Sequence, residues 1–547
     1  MEDKTSNALG HLVEVSGDSF VAQLYSENDG SPAEKMVGLD KVRIGQVGSY
    51  MMIKQSGHEL LCTVESNWLY TDYSGNQQQK VRLVPLGEFN KDRSFERGIT
   101  HYPTTSAELH LVSTWNLERI FSDYSEVYYK VGKLSAFNSI DVFLDASKFF
   151  GRHSAILGQT GAGKSWTVTS LIQSALRYMP HTHIIVMDMH GEYGDKKTDI
   201  SITSPFPAHK VRCMDVLDLE LPYWLLTYAD LADIFISQDD VHATIQLAFL
   251  RNVLGDLRVS ANRHMSLDRI TVDSPVFFSL DEMRYRFKKA NQATEDFGRT
   301  KGPLNGKFDQ FLVHLDSLMS DQRYDFMLKP KKHISTDTLP DLLRDFVGLG
   351  EPRANVTVLN LSAVPFDVAP SVTALIGRLA LEFNFWNPKC LEFPIWLVCE
   401  EAQEYMPRSE HTRYKESRRI MEHIAKVGRK YGVGLCVVSQ RPAEVSETVL
   451  AQCGTFVCLR ISNPNDQDYL RAMVPDSARG TFATLTSLSS GEAIIMGAAV
   501  PMPVRFQVTT PNPPPNSSDV DFATKWSKGG EEIDVEGVVD NWLKQLR

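Results

Sequence analysis

The chain has 547 residues, of which 42% are hydrophobic and 23% charged, and its formal net charge is −11. This composition excludes a disordered chain, and the acidic balance argues against nucleic-acid binding over the whole surface while allowing a local basic channel. No apolar run reaches about 18 residues, the first residues (MEDKTSNALG) do not form a signal peptide, and the seven cysteines lack paired metal-ligand spacing. We therefore expect a cytoplasmic protein of about two to four domains.

The first predicted part of the fold is a small β unit. From about residue 9 to residue 95, short runs of alternating apolar and polar residues, such as Leu12–Val15, are separated by turn residues such as Gly17 and Gly75. A period of two predicts half-buried strands, and the frequent turns predict antiparallel pairing. We expect a small β-barrel at this end of the chain.

From Ser154 onward, apolar strands alternate with helical segments, which is typical of a parallel α/β sheet. Each predicted strand is a nearly continuous apolar run, as expected for strands covered on both faces. Residues 217–348 are rich in helix formers and predict a helical insertion, because a structureless loop of that length is uncommon in a compact domain. The predicted strands are Ser154–Leu157, His183–Met187, Val356–Leu361, Ile395–Cys399, Leu435–Val438 and Thr455–Leu459.

A proline-rich stretch at 511–515 predicts a linker, and a short amphipathic helix is expected near Val535–Leu546. The predicted segments are a β-barrel (1–100), a linker with the first part of an α/β core (101–216), a helical insertion (217–348), the second part of the core (349–510), and a linker with a helical tail (511–547).

The strongest motif is a glycine-rich loop between the strand Ser154–Leu157 and a predicted helix over Trp166–Tyr178. It fits G-x-x-x-x-G-K-[ST], in which backbone N–H groups approach phosphates, the lysine reaches the β- and γ-phosphates and the hydroxyl binds Mg²⁺. A chance match on a glycine-rich turn is the alternative, and the strand and helix on either side argue against it. The predicted ATP-binding residues are Gly158, Gln159, Thr160, Gly161, Ala162, Gly163, Lys164, Ser165 and Trp166, with Lys164 also catalytic and Ser165 also a metal ligand.

A second strand end carries two carboxylates. Phosphoryl transfer needs groups that hold the metal and orient the attacking water, and the strand Ile395–Cys399 is followed by Glu400 and Glu401. We expect Glu400 to bind Mg²⁺ directly or through water, although aspartate is usual at this position. Glu401 is the expected residue that polarises the attacking water. Paired glutamates that begin an ordinary solvated helix are the alternative.

Three more polar residues follow predicted strands. Gln440 comes after Leu435–Val438 and can contact the γ-phosphate or the attacking water, or can belong to an ordinary turn. Asp188 and His190 follow His183–Met187, and ligands of open α/β sheets bind at the carboxyl ends of strands. Both are candidate nucleotide-binding residues, with a structural histidine as the alternative.

These motifs form a set with Arg152-His153 before the phosphate loop, Asp-x-His-Gly-Glu-Tyr at 188–193, Glu-Glu-Ala-Gln at 400–403, and Gly-Arg-Lys-Tyr-Gly at 428–432 leading to Ser-Gln-Arg-Pro at 439–442. The set resembles the HerA–FtsK group of motor ATPases, and most closely the HerA helicase/translocase family, over nearly the whole chain. The resemblance implies an α/β fold: a RecA-like P-loop ATPase core with a helical insertion and an N-terminal small β-barrel that looks like the family's HAS barrel. Gln403 stands where histidine is more usual.

The resemblance further implies a homohexameric ring with ATP and Mg²⁺ at subunit interfaces and double-stranded DNA in the central channel. It also implies an arginine that enters the neighbouring subunit's site and stabilises charge on the transferred phosphoryl group. Arg429 is the first candidate and Arg152 the second, with Arg418, Arg419 and Arg441 as further possibilities. A basic helix end is the alternative explanation for Arg429.

Two basic clusters, at 329–333 and Arg408–Arg419, are candidates for DNA contact, although a charge run is usually a solvated face. The sequence shows no base-reading motif. Contacts to DNA phosphates would make binding salt-sensitive and largely independent of sequence.

The predicted function is ATP-dependent DNA translocation or unwinding with a separate nuclease or other effector, in DNA end processing or phage defence. Members of the family are often paired with the nuclease NurA or with sirtuin-like or nuclease defence effectors, and we identify no nuclease centre in this sequence. The alternative is an ATP-regulated ring that assembles and activates a partner enzyme. DNA-stimulated ATP turnover favours translocation, whereas a partner complex that stays active without hydrolysis favours the scaffold.

Overall fold

A computed structural model describes residues 8–544 except 26–33, 38–39, 72, 74, 76, 91–93, 123–128, 199–200, 216–217, 219, 238, 266, 296–299, 410–414, 475–478, 518–520 and 529–532. The chain forms two compact units. The first comprises Met1–Thr182, Val398–Gln403 and Ala425–Pro515, and the second comprises His183–Leu397, Glu404–Ile424 and Asn516–Arg547. No helix among the described residues has the length and apolarity of a membrane span.

The first unit begins with the predicted β-barrel. Six antiparallel strands close in the order β2-β1-β9-β5-β6-β7, because β2 also pairs with β7, while β8 extends the sheet and β3 and β4 form a separate hairpin. Alternate side chains such as Leu12, Met51 and Leu83 fill the interior, as the period of two predicted. The strands are β1 (Gly10–Val15), β2 (Phe20–Leu24), β3 (Glu34–Val37), β4 (Asp40–Arg43), β5 (Tyr50–Gln55), β6 (His58–Thr71), β7 (Gln77–Phe89), β8 (Phe95–Arg97) and β9 (Glu108–Leu111).

The strands that follow the barrel build the α/β core. They are β10 (Lys130–Leu134), β11 (Phe137–Phe143), β12 (Ser154–Leu157), β13 (Ile184–Asp188), β14 (Asp195–Thr198), β15 (Ser201–Thr203), β16 (Val211–Met214), β17 (Thr294–Glu295), β18 (Thr300–Lys301), β19 (Val356–Asn360), β20 (Ile395–Cys399), β21 (Val433–Ser439), β22 (Thr455–Cys458), β23 (Glu492–Gly497) and β24 (Val504–Val508).

In the first unit, seven of these strands lie in the order β11-β10-β24-β23-β22-β12-β21. The strand β12 is parallel to both neighbours, with Ser154 opposite Cys436 of β21 and opposite Thr455 of β22. Every residue of β12 and β21 is buried, which explains their continuous apolar runs. The remaining neighbours, from β22 to β11, pair antiparallel. The phosphate loop therefore follows an interior strand of this parallel part.

The described helices belong to both units. They are Thr114–Ser122, Ala146–Gly151, Lys164–Tyr178, Tyr228–Phe235, Ala243–Ala261, Leu280–Asn291, Asp309–Ser320, Asp325–Leu328, Leu339–Phe346, Ala369–Phe385, Lys415–Val427, Glu447–Ala451, Pro464–Met473, Arg479–Phe482, Phe522–Lys528 and Val535–Lys544.

The second unit contains three parallel strands in the order β13-β19-β16 and the predicted helical insertion between β16 and β19. Aromatic rings hold the insertion together, with Phe287 and Phe311 stacked at 3.9 Å between centroids. The fully buried Arg258 donates to the carbonyl oxygens of Val272, Trp224 and Leu226, so its charge is solvated by main-chain dipoles. Burial lowers the pKa of Arg258 to about 10.

Candidate ATP-hydrolysis site

The phosphate loop takes its shape from three glycines. Gly161 and Gly163 have φ angles of 73° and 102°, a region that residues with a Cβ rarely adopt. A Cβ on Gly158 would lie 2.9 Å from Cβ of Leu459, so close packing excludes any larger residue there. These constraints give the physical reason for the glycine spacing of the motif.

The helix Lys164–Tyr178 begins directly at the end of this loop, two residues earlier than predicted. Its N-cap is Gly163, which offers no side chain to the first-turn N–H groups. Lys164 and Ser165 therefore stand in the first turn, where unsatisfied N–H groups and the helix dipole favour an anion. The main-chain N–H of Gln159 donates to the carbonyl of Arg460 at 3.0 Å, which anchors the loop to the segment after β22.

The strand β20 ends at Cys399, and an unusual turn follows it. Glu401 has a φ of 48°, a left-handed conformation that costs a residue with a Cβ roughly 1–2 kcal/mol. A short helical turn over Ala402–Glu404 follows at once, and it places Gln403 beside the Glu401 carboxylate. Such local strain is often found where a side chain must be held in one orientation.

Four side chains from three segments converge on Glu401. Its Oε2 accepts hydrogen bonds from Nε2 of Gln403 at 2.5 Å and from Nε2 of Gln440 at 3.1 Å. The Gln440 Oε1 in turn accepts from the hydroxyl of Thr160 in the phosphate loop at 2.5 Å, and the Gln403 Oε1 accepts from the hydroxyl of Ser439 at 2.6 Å. The carboxyl ends of β12, β20 and β21 thus meet in one hydrogen-bonded chain. Three predicted site residues, Thr160, Glu401 and Gln440, belong to it.

Glu400 and Ser165 carry the oxygens predicted to bind Mg²⁺. Glu400 is 5% exposed and Ser165 is half-buried. A carboxylate and a hydroxyl are hard oxygen donors that suit Mg²⁺, which usually takes one or two protein ligands and completes its shell with phosphates and water. No group of three or more His, Cys, Asp or Glu side chains within the described ranges forms a protein-only metal cage. The donor set therefore fits a nucleotide-bound Mg²⁺.

Asp188 and His190 lie in the second unit. The Asp188 carboxylate is 1% exposed and accepts hydrogen bonds from the main-chain N–H groups of residues 190–193, at 2.8 to 3.3 Å. Burial raises the pKa of Asp188, while these hydrogen bonds oppose the shift. These hydrogen bonds to Asp188 shape the turn after β13. A nucleotide contact by Asp188 or His190 stays a prediction.

Arg152 and Arg429 lie near His153, at the amino ends of their strands. His153 is buried in a left-handed conformation (φ 51°), and its Nδ1 accepts from the N–H of Leu435 at 2.9 Å. Burial lowers the pKa of His153, and the neighbouring Arg429 cation acts in the same direction. His153 thereby fixes the start of β12 against the start of β21.

The two arginines are far from the phosphate loop of their own chain. Arg152 precedes the four residues of β12, so about 13 Å of strand separates it from the loop. Arg429 precedes the seven residues of β21, or about 23 Å of strand, before Gln440. Both side chains are exposed, and neither forms an ion pair within the described parts of the chain.

The other predicted arginines have acidic partners. Arg418 pairs with Glu422 at 2.7 Å, Arg441 with Glu444 at 2.7 Å, and Arg419 approaches Glu416 at 3.7 Å. An arginine that must leave its own subunit would first have to break such a pair. This geometry favours Arg429 and Arg152 over the three alternatives.

Of the two basic clusters, the one at 329–333 is fully described. Lys331 and Lys332 are exposed, and their main-chain N–H groups donate to the buried carboxylate of Glu220 at 3.1 and 2.7 Å. The main chain of this turn is therefore anchored to Glu220, while its lysine side chains reach solvent. Much of the second cluster, residues 410–414, lies outside the described residues.

Sequence reasoning missed the roles of His153 and Ser439 and left that of Gln403 open. Both are buried polar residues next to apolar runs, with His153 just before β12 and Ser439 at the end of β21, and that position was the available signal.

Two family descriptions match most of the chain, and known proteins resemble it. The description "Helicase HerA, central domain" matches residues 129–380, and "Helicase HerA-like C-terminal" matches residues 415–524. A probable helicase of Methanocaldococcus jannaschii is 25% identical, covering 91% of this chain and 93% of its own. The DNA double-strand break repair helicase HerA of Pyrococcus furiosus is 26% identical, covering 76% and 74%. VirB4 of Thermoanaerobacter pseudethanolicus, a solved structure, has 16% identity and a TM-score of 0.44, covering 70% and 96%.

Proposed function

Because this chain belongs to the HerA helicase family and is therefore an ATP-hydrolysing motor enzyme, we propose that it moves double-stranded DNA through a homohexameric ring. The observation that carries the hydrolysis step is the hydrogen-bonded chain from Thr160 of the phosphate loop through Gln440 to Glu401. It links the loop that binds phosphates to the carboxylate that activates water. The proposals of a DNA substrate and of a ring rest on membership of the family.

In the proposed reaction, Lys164 and the first-turn N–H groups bind the β- and γ-phosphates. Glu401 accepts a proton from a water molecule as the water oxygen bonds to the γ-phosphorus, and the bond to the bridging oxygen breaks to release ADP and phosphate. Gln440 orients the water beside Glu401. Ser165 and Glu400 would hold Mg²⁺, which neutralises charge on the phosphates when bound.

In this proposal, an arginine of the neighbouring subunit supplies the remaining positive charge at the γ-phosphate. Arg429 and Arg152 lie at the opposite strand ends from their own phosphate loop, so each is better placed to serve a neighbour's γ-phosphate than its own. Head-to-tail contacts of this kind generate a closed ring when the rotation between successive subunits closes. Coupling to a separate nuclease or defence effector, in DNA end processing or phage defence, is the biological role we propose.

The test of DNA engagement is steady-state ATPase activity with and without double-stranded DNA, measured between 50 and 200 mM salt. We expect stimulation whose half-saturating DNA concentration rises about 40-fold over this range if three phosphates are neutralised. The sequence of the DNA should matter little, because only phosphates are gripped.

Replacing Lys331 and Lys332 together by glutamine tests DNA contact by the basic turn at 329–333. Lys525→Gln, at an exposed lysine of the tail, is the matched control. If the turn grips DNA, the double variant lowers the salt slope by about two while the control leaves it unchanged. ATP turnover that ignores DNA at every salt concentration would contradict the translocase proposal and favour the ring that activates a partner.

A further inference from the structure

The carboxylate of Glu401 is held on one side only. Both hydrogen bonds to it within the described residues reach Oε2, from Gln403 and from Gln440. A carboxylate oxygen has two lone-pair positions, so these two donors saturate Oε2. The other oxygen, Oε1, is left to accept the proton of an attacking water.

The side-chain amides of Gln403 and Gln440 can donate hydrogen bonds to Glu401 in only one orientation. An ionised carboxylate accepts hydrogen bonds and donates none, so each glutamine must turn its NH₂ group toward Glu401. Each amide oxygen then faces away and needs a donor of its own. Thr160 supplies a hydroxyl to Gln440 at 2.5 Å, and Ser439 supplies one to Gln403 at 2.6 Å.

The Ser439 hydroxyl is itself oriented from behind. It is fully buried, and its oxygen accepts the main-chain N–H of Arg441 at 3.0 Å, so its proton points to Gln403. Each end of this series of hydrogen bonds is therefore a hydroxyl donor. Every side-chain hydrogen bond in the series is donated toward Glu401. A threonine-to-valine or serine-to-alanine change breaks this polarity while it preserves shape closely.

We propose that Thr160 and Gln403 are positioning residues for the attacking water, acting through the Glu401 carboxylate. Thr160 sits in the phosphate loop, so its hydroxyl ties the orientation of the catalytic carboxylate to the conformation of that loop. Gln403 donates to the same oxygen and stands where histidine is more usual. This inference rests on the proposed function of Glu401 as the group that takes the water proton.

The test is a double-mutant cycle on the full-length protein with Thr160→Val and Gln440→Leu, measuring turnover at saturating ATP and ATP affinity separately. Thr160→Val should lower turnover about 3- to 10-fold, the worth of one hydrogen bond, and change ATP affinity less than about twofold. Thr160→Ser, which keeps the hydroxyl, should restore turnover. In the Gln440→Leu background, Thr160→Val should have no further effect, because the two act in series.

Thr169→Val is the matched control. Thr169 lies in the helix after the loop, is fully buried, and its hydroxyl has no hydrogen-bond partner within the described chain. It should leave turnover unchanged and show no coupling to Gln440. Gln403→Leu and Ser439→Ala should form a second non-additive pair with the same loss of turnover at unchanged ATP affinity.

Equal effects of Thr160→Val in both backgrounds, or a loss that appears in ATP affinity and not in turnover, would overturn the inference. Glu401→Gln in the same assay separates this failure from that of the proposed function. If Glu401→Gln is inactive and the cycle is additive, Glu401 remains the base and its positioning by Thr160 is rejected. If Glu401→Gln is active, both the role of Glu401 as base and its positioning by Thr160 are rejected.

Discussion

Glu401→Gln should bind ATP normally and lose turnover by about 10²- to 10⁴-fold, because a neutral amide cannot take the proton of the attacking water. The substitution keeps the length of the side chain. Its amide oxygen can still accept from Gln403 and Gln440, so the surrounding hydrogen bonds need not rearrange. Calorimetric ATP affinity and single-turnover hydrolysis, measured on the same preparation, separate binding from chemistry.

Two companion variants make this result specific. Lys164→Ala should weaken ATP binding roughly 10- to 100-fold, since it removes charge-assisted hydrogen bonds to the phosphates. Glu400→Gln should act mainly through the Mg²⁺ dependence of turnover. A variant of Glu400 that binds ATP and is trapped without hydrolysis, beside an active Glu401→Gln, would reverse the assignment of the two carboxylates.

Arg429→Ala should reduce turnover by about 10³- to 10⁵-fold if its cation stabilises the γ-phosphoryl charge in the neighbouring site. ATP affinity should change little, because this charge develops in the transition state. The position of Arg429 before β21, opposite the end that carries Gln440, is the structural reason to expect action between subunits.

Mixing Arg429→Ala with Glu401→Gln tests this arrangement. Where a chain with an intact Glu401 meets a neighbour with an intact Arg429, the interface is complete, so an equal mixture should recover about a quarter of the wild-type rate. Arg471→Ala is the control, since that arginine is exposed and paired with Asp468 at 3.2 Å, and its loss should leave turnover unchanged. A mixture as inactive as its two components would contradict action in trans. Arg152→Ala would then take the same test.

Local patterns were enough to predict the elements that position the site. The strand β12, the phosphate loop and the following helix each depend on residues adjacent in the chain, and each is found as predicted within two residues. The turn built on Asp188 also arises locally, whereas no local pattern predicts the left-handed conformation of Glu401. An aspartate whose carboxylate accepts main-chain N–H groups a few residues later is a recognised turn pattern, and it accounts for the shape of the turn after Asp188.

The hydrogen-bonded chain around Glu401 could not be predicted in this way. Thr160 and Gln440 are 280 residues apart in sequence, and Gln403 and Ser439 are 36 apart. Only the order of strands in the sheet brings them together, and the sequence contains no local record of that order. The antiparallel neighbours β10 and β11 were missed for a related reason, because they precede the phosphate loop and no motif marks their ends.

For the candidate arginines too, some features follow from the local sequence and others are visible only in the fold. The spacing of Arg418 and Glu422 by four residues in a helix already predicts an ion pair, which disfavours Arg418 as the arginine that acts in trans. The distance of Arg429 from its own phosphate loop, in contrast, becomes visible only when β21 is seen parallel to β12.

The most direct measurement of the central claim is displacement of a third strand from a triplex-bearing DNA duplex by the purified protein. A motor that tracks along the duplex strips the third strand only while it hydrolyses ATP, so we predict displacement by the wild-type protein and none by Glu401→Gln at equal DNA occupancy. DNA-stimulated hydrolysis without any displacement would contradict translocation and favour the alternative proposal of a ring that organises a partner.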